Sequence, residues 1–478
     1  MKVVLAVVPR ASGEIERGGL PFLGVGYVAS SLLLDGHDVK ILDAHTLRLT
    51  PEETVQKILE MNPDVLGLSG NTHNRFTAIE VIKLAKKQKP NLKVVVGGPH
   101  FGLTGKDALK TVSEIDFVVK GEGELTAREL LKSGFKEEKF PGILGIVYRD
   151  KNRNIIENSD RPFVQNLDDL PMPAWHLFDL SRYKGTPIEK TGMKTIGIVS
   201  SRGCPNQCIF CSARAFHRGT LRVRSPKNFV DEIEYLQKNY GYGAFNFWDD
   251  TFSMIPSRAA EICEEILRRK LKISWYTPCR VNTVDKKLLA LMKKAGCVRV
   301  NFGIESGSPK ILKVMKKGIT MEQARAAIKA AVEVGLDITL NFLVVYPYET
   351  WEDIKMTSAA IKEFRQLKNV KPSYSFIIIY PGTELEEIAK KEKVMPENFS
   401  WNSPYKNTKR IAAGEDESVP YFEWPGLPFE AVKAFMTKDL LEKRDIFKRF
   451  LKKAERVRNF DDVKAIFKVG IAYLKTTK

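Results

Sequence analysis

The chain has 478 residues, 43% of them hydrophobic and 28% charged, with a formal net charge of +18 at neutral pH. That length suits two or three domains with sizeable cores. No apolar run reaches the roughly 18 residues of a membrane span, and the six cysteines, three close together and three scattered singly, form no disulfide framework, so a reducing, cytoplasmic setting is expected. A basic surface by itself fits nucleic acid, an anionic membrane or an acidic substrate equally well. Most of the excess is diffuse, but residues 429–478 hold 14 Lys or Arg against 7 Asp or Glu.

Residues 1–9 join one lysine to a short apolar run that ends in Pro-Arg without a small-residue cleavage site. They read as a first strand rather than a signal peptide. Across 1–138, apolar strands are predicted at 3–8, 39–43, 65–69, 94–97 and 117–120, with amphipathic helices between them, as at 51–61 and 76–88. This alternation predicts a doubly wound, Rossmann-like parallel sheet, whose ligand site lies at the carboxyl ends of its strands. The loops there hold Gly18 to Pro21; Ser69, Gly70, Asn71, Thr72 and His73; Gly97, Gly98, Pro99 and His100; and Gly121, Glu122, Gly123 and Glu124. Any one of them would pass as an ordinary tight turn. Four together favour a large polar ligand approached closely by backbone.

Residues 139–190 are Pro-rich and read as a linker with a small hairpin at about 145–156. From 191 to 385 the alternation resumes, with strands predicted at 195–200, 244–248, 273–276, 298–304, 337–345 and 373–379. Six successive βα units predict a partial (β/α)6 barrel with its functional residues at the strand carboxyl ends. Candidates there are Asp249 and Asp250, which could equally cap a helix, then Arg280, Glu305 with Ser306, and Tyr380. Residues 386–478 are expected to be mainly helical around an aromatic, Pro-rich middle. At the far end Phe447, Phe450 and Leu451 recur at helical spacing among basic residues. Such a helix packs on its domain or binds a membrane surface or acidic partner.

The most specific signal follows the first barrel strand. Cys204, Cys208 and Cys211 stand in C-x3-C-x2-C spacing on one short loop. Three thiolates with no fourth ligand in the motif suit a cubane iron–sulfur cluster that leaves one iron open to an outside molecule. His217 would complete a Cys3His zinc site as the alternative.

These motifs resemble, over residues 1–385, the cobalamin-binding radical S-adenosylmethionine (SAM) enzymes. The cysteine loop is similar to that superfamily's cluster motif. Phe210 stands at the aromatic position where the family's backbone meets adenine, and Trp248 to Phe252 resembles its D-D-x-F segment near the SAM amino group. Gly303 to Ser306, Tyr380 to Thr383, and the loops at Leu20 to Tyr27, 97–100 and 121–124 are likewise similar. The resemblance implies a 4Fe–4S cluster on the three cysteines, SAM among Phe210, Asp249, Asp250, Arg280, Glu305, Ser306 and Tyr380, and cobalamin on the amino-terminal loops. Two departures stand out. The D-x-H-x-x-G motif that supplies cobalt's lower ligand elsewhere is absent, leaving His73 as a residue that could face the metal or simply serve its loop. The usual G-x-P-x-E-T reads Val345-Tyr346-Pro347-Tyr348-Glu349-Thr350.

The implied activity is C-methylation. A 5′-deoxyadenosyl radical from SAM would activate an unactivated carbon, and methylcobalamin would supply the methyl group. An electron donor such as ferredoxin or flavodoxin is implied. The basic surface favours an anionic substrate (protein or peptide, lipid or small molecule), with peripheral membrane contact an open alternative. Oxidative cyclisation of a tetrapyrrole or lipid is the second reading. A basic, zinc-containing nucleic-acid-binding protein is the third, disfavoured because no aromatic-studded basic strand is evident.

Overall fold

A computed structural model describes residues 1–9, 20–183, 192–409 and 419–440. Two mainly parallel sheets dominate it. The first has seven strands in the order β2-β1-β3-β4-β5-β6-β7. These are β1 (Lys2–Val7), β2 (Asp38–Asp43), β3 (Val65–Ser69), β4 (Lys93–Gly97), β5 (Phe117–Val119), β6 (Ile146–Arg149) and β7 (Ile155–Glu157). The first five pair in parallel. Their near-continuous Val/Leu/Ile runs follow from burial on both faces. Val4, Leu66 and Val94 sit in the core on one side, and Val3, Val65 and Phe117 in the core on the other.

The hairpin expected in the linker belongs to this sheet instead. Strand β6 pairs antiparallel with β5, and Ile146, Val147 and Tyr148 are all buried. The amino-terminal unit therefore runs to about Glu157 rather than residue 138. A three-residue β5 at the edge needs a further strand to cover its hydrogen-bonding groups, and nothing in the hairpin's own sequence names its partner.

The small antiparallel pair β9 (Ser201–Arg202) and β10 (Arg222–Val223) brackets the cysteine loop. The second large sheet has six parallel strands in the order β15-β14-β13-β12-β11-β8. They are β8 (Thr195–Ile198), β11 (Ala244–Phe247), β12 (Ser274–Cys279), β13 (Cys297–Glu305), β14 (Asp337–Val344) and β15 (Val370–Phe376). Each strand neighbours the next in sequence, as a partial barrel requires. Helices cover the outer face, where Phe245, Trp275, Val300, Phe302 and Leu340 are buried. Capping boxes Thr320/Gln323 and Thr350/Asp353 start two of these helices. The last strand begins three residues earlier than predicted, because Lys371 and Ser373 interrupt its apolar signal while pairing with Thr339 and Asn341.

Beyond the barrel the chain is less helical than expected among the described residues. Residues 392–409 and 419–428 are mostly irregular, with one two-stranded pair, β16 (Thr408–Lys409) and β17 (Val419–Pro420). This segment ties the two units together: Arg75 Nε donates to the Trp401 carbonyl at 2.7 Å, and Asn402 Nδ2 donates to Asp107 at 2.8 Å. Helix Phe429–Leu440 then packs on helix Trp351–Arg365 through Trp351 and Phe435 and the Lys362–Asp439 pair. The loop start at Gly18 and Gly19 and the basic segment with Phe447, Phe450 and Leu451, expected to be helical, lie outside the described residues.

Candidate functional site

The cysteine loop is held from several sides. Gly203 has φ +84°, and a Cβ there would stand 2.0 Å from the Thr220 carbonyl oxygen, so the turn into the motif admits only glycine. The Gly203 N–H donates to Asp250 Oδ2 at 2.9 Å. Ile209, between the second and third cysteines, donates to Met315 O at 3.1 Å and accepts from Leu385 N at 3.0 Å. Around the thiols, Asn206 Nδ2 lies 3.0 Å from Cys204 Sγ and Arg280 Nη1 lies 3.8 Å from Cys208 Sγ.

These thiols fit a cluster. Burial pushes Cys211 up to about 11, so its thiolate needs a bound cation to form, which is what iron supplies. Among the described residues no three His, Cys, Asp or Glu side chains converge on a single metal ion. His217, the fourth ligand of the zinc alternative, instead meets Arg222 at 3.2 Å, and burial followed by the Arg222 charge lowers it to about 4.

Polar groups ring the loop on the barrel side. Arg280 is buried and donates to the Lys317 carbonyl. Glu305 ends β13 in a left-handed turn (φ +73°), with Oε1 2.7 Å from Lys317 Nζ. Lys317 Nζ also stands 6.0 Å from the Phe210 ring centre, and Phe210 meets Tyr346 edge-on at 5.9 Å. Tyr346 is fully buried, yet its hydroxyl has no hydrogen-bond partner among the described residues. Glu349 accepts from the Tyr346 N–H at 2.8 Å, leaves its second oxygen unpaired, and is raised to about 7 by burial. Buried polar atoms without partners are uncommon; here two occur beside a loop built for a ligand. The turn keeps a glycine-like backbone at Val345 (φ +67°) although valine disfavours it.

The second feature is a cavity of about 440 Å³ between the first sheet and the barrel. Its floor is one face of the sheet: Val3, Leu5, Val65, Gly67, Val95 and Val119. Helices Leu23–Leu33 and Gly123–Lys132 give its sides through Val25, Val28 and Leu131. Val199, Arg202, Phe216, His217 and Trp248 close it from the barrel, so it borders the elements that flank the cysteine loop. An apolar slot ending in backbone loops fits the flat base and nucleotide tail of cobalamin better than a small polar ligand.

The expected residues sort into three groups. Ser69, Gly97, Gly98, Pro99, Gly121, Glu122, Gly123 and Glu124 line the cavity. Phe210, Asp250, Arg280 and Glu305 gather around the cysteine loop. The remainder stand elsewhere. Gly70 and Thr72 are not in the cavity lining, and His100 is fully buried between Thr72 at 3.2 Å and Asn402 at 3.3 Å. His73 Nε2 meets Tyr380 Oη at 3.2 Å across the two units, outside that lining. Asp249 is taken up by Ser200 and Ser201, and Ser306 by Thr357 and Ser308. Even the cavity-lining Glu122 and Glu124 spend their carboxylates on Arg202 at 2.9 and 2.8 Å, and Glu122 also on Arg222 at 2.7 Å.

Sequence reasoning missed Arg202, Lys317, the outward-turned face of β1 and β3, and the placement of Tyr346. Only Arg202, directly before the motif, stood where a search for partners of Glu122 and Glu124 would have found it.

Fold and site together define a radical SAM barrel joined to a cobalamin-type Rossmann unit. The sequence matches the profile of the Radical SAM superfamily over residues 198–361 and that of the B12 binding domain over residues 17–131. An uncharacterized methyltransferase of Pyrococcus horikoshii is 36% identical over 392 residues, covering 81% of this chain and 83% of its own. Anaerobic magnesium-protoporphyrin IX monomethyl ester cyclase of Rubrivivax gelatinosus is 29% identical, covering 84% and 73%. The fold matches that of the radical SAM methyltransferase TsrM of Kitasatospora setae, solved with cobalamin and a 4Fe–4S cluster, at TM-score 0.72 and 19% identity over 98% and 99% of the two chains. The chain belongs to the cobalamin-dependent radical SAM enzymes and is of their methyltransferase type. Its cofactors are the 4Fe–4S cluster, SAM and cobalamin. No helix among the described residues is long and apolar enough to cross a membrane.

Proposed function

We propose that the protein methylates an unactivated carbon of an anionic substrate. The observation that carries the reading is that one barrel edge holds both the cysteine loop and the wall of the apolar cavity. The two cofactor seats are thereby adjacent. When bound, the cluster and SAM supply a 5′-deoxyadenosyl radical and cobalamin carries the methyl group; the protein's task is placement and exclusion of water.

Its own residues suit that task. Cys204, Cys208 and Cys211 hold the cluster, with Asn206 and Arg280 donating toward their sulfurs. Phe210, Asp250, Arg280 and Glu305 surround SAM, with Lys317 fixing Glu305 and the Tyr346 hydroxyl close by. Ser69, Gly97, Gly98, Pro99, Gly121 and Gly123 meet the corrin side, and the sheet face takes the nucleotide tail. The amino-terminal unit, residues 1 to about 157, is the cobalamin domain, and 191–385 the radical-forming barrel. Arg202 and Arg222 clamp the two through Glu122 and Glu124. The excess of basic residues supports an anionic substrate and docking of an acidic one-electron donor such as ferredoxin or flavodoxin.

The likeness to the cyclase supports ring closure as the second reading. Anaerobic turnover of the reconstituted enzyme with methyl-deuterated SAM separates them. Methylation adds three deuteriums to the product, and cyclisation adds none.

A further inference from the structure

The barrel sheet has two unlike faces. Its outer face is a continuous apolar layer under the helices, with Trp275, Phe302 and Leu340 fully buried. The parallel register fixes what the inner face carries. Asn301 pairs with Thr339, Gly303 with Asn341, Asn341 with Ser373, and Leu343 with Ser375. Neighbours in register share a face, so Asn301, Thr339, Asn341, Ser373 and Ser375 form a polar field across β13, β14 and β15, with Leu343 the single aliphatic side chain among them.

This inverts the usual barrel interior, which branched aliphatic residues fill. The field is open: Asn341 and Ser373 are exposed, and Asn301, Thr339 and Ser375 are half-buried. It also has hydrogen-bonding capacity to spare. Ser373 Oγ lies 3.2 Å from Asn341 Oδ1 and 3.3 Å from the Leu340 carbonyl oxygen. The Asn341 amide nitrogen, the Asn301 amide and the Thr339 hydroxyl make no side-chain hydrogen bond among the described residues. Lower on the face, Arg299, Asp337 and Lys371 add charges of both signs.

The field adjoins the cofactor side directly. Gly303 lies two residues below Glu305 on β13, and a Cβ there would stand 2.2 Å from Glu305 Oε1 and 3.0 Å from Lys317 Nζ. Glycine thus leaves room for that ion pair at the upper rim of the polar rows. A molecule seated against Asn301, Asn341 and Ser373 has its upper end beside Glu305 and the cysteine loop.

We infer that this inner face seats the substrate and selects a water-soluble molecule bearing amide or hydroxyl groups, rather than a lipid or a porphyrin-like ring. An apolar occupant would strip these amides and hydroxyls of water and return no hydrogen bonds, a penalty repeated at each group. A hydrophilic one satisfies them in the geometry the strands already hold. The assignment rests on the methyl-transfer reading above.

The test uses the reconstituted full chain with methyl-deuterated SAM and a protein-free extract of the native host, divided into aqueous and chloroform fractions. Enzyme-dependent trideuteration in the aqueous fraction is expected. Trideuteration confined to the chloroform fraction overturns the assignment and leaves methyl transfer standing. Consumption of SAM with deuterium in neither fraction overturns methyl transfer, and the assignment with it. With the aqueous substrate in hand, Asn341→Leu and Ser373→Val should each raise KM about tenfold or more. Cluster content should be unchanged. An unaltered KM in both variants overturns the seat.

Discussion

The two cofactor seats are built on opposite principles. The cavity is a sheet face and two helices, apolar over most of its wall, and it offers a ligand shape and dry surface. The cysteine loop is wrapped in charge: Arg280, the Glu305–Lys317 pair, Asp250, and the unpaired oxygens of Tyr346 and Glu349. The first seat suits a large preformed molecule held by area. The second suits a charged ligand that must be oriented atom by atom, where electrostatics in a buried setting acts strongly. Between them, the Arg202 clamp belongs to both.

The largest effect comes from breaking the polar seat at its ligands. Cys208→Ser should abolish cluster assembly, read as loss of iron and of visible absorbance, while leaving cobalamin binding in place. Loss of both cofactors would show the seats to be one cooperative unit. Next comes the clamp. Arg202→Ala strips the buried Glu124 carboxylate of its partner while Glu122 keeps Arg222, and removing one partner of a buried pair costs about 3–5 kcal/mol. The Tm should fall accordingly, with the cleft between the units opened to proteolysis.

The same clamp sets an acid limit. Burial alone would raise Glu122, but Arg202 and Arg222 more than offset it and hold the carboxyl below its ordinary value of 4.5. Its contribution is therefore complete above that value and is lost as pH falls through the depressed one. Wild-type stability should drop more steeply on acidification than that of the Glu122→Gln variant, as thermal melts at several pH values will read.

Smaller effects sharpen the contrast. Val95→Phe puts a ring on the cavity floor, in space the ligand would occupy. Cobalamin affinity should fall about 100-fold, close to 2.7 kcal/mol, with the cluster spectrum unaltered. Tyr346→Phe removes only a hydroxyl near the cysteines. Hydrogen bonds to cluster sulfurs raise the reduction potential, so the variant's midpoint should fall by about 59 mV or less, a tenfold change in the one-electron equilibrium. An unchanged potential together with an unchanged SAM affinity would reduce Tyr346 to packing.

The legibility of these regions in the sequence also differs. The cysteine spacing and the six βα units could be read because local spacing and periodicity encode them. The cavity loops were legible only as glycine clusters, and their side chains misled. Glu122 and Glu124 look like ligand groups until Arg202, some 80 residues away, is found against them. Thr72 and His100 likewise turn to each other and to Asn402. The edge pairing of β6 with β5 and the apolar cavity floor are long-range facts: a valine facing a cavity has the same local pattern as one facing a core. Tyr346 was visible as a departure from the familiar turn, but its unpaired hydroxyl is a property of packing alone.

The central claim is that the adjacent seats serve one methyl transfer. Counting products in a single anaerobic turnover with methyl-deuterated SAM tests it most directly. The account predicts one 5′-deoxyadenosine and one S-adenosylhomocysteine for each trideuterated product. A trideuterated product formed without 5′-deoxyadenosine, or a product without deuterium, would contradict it.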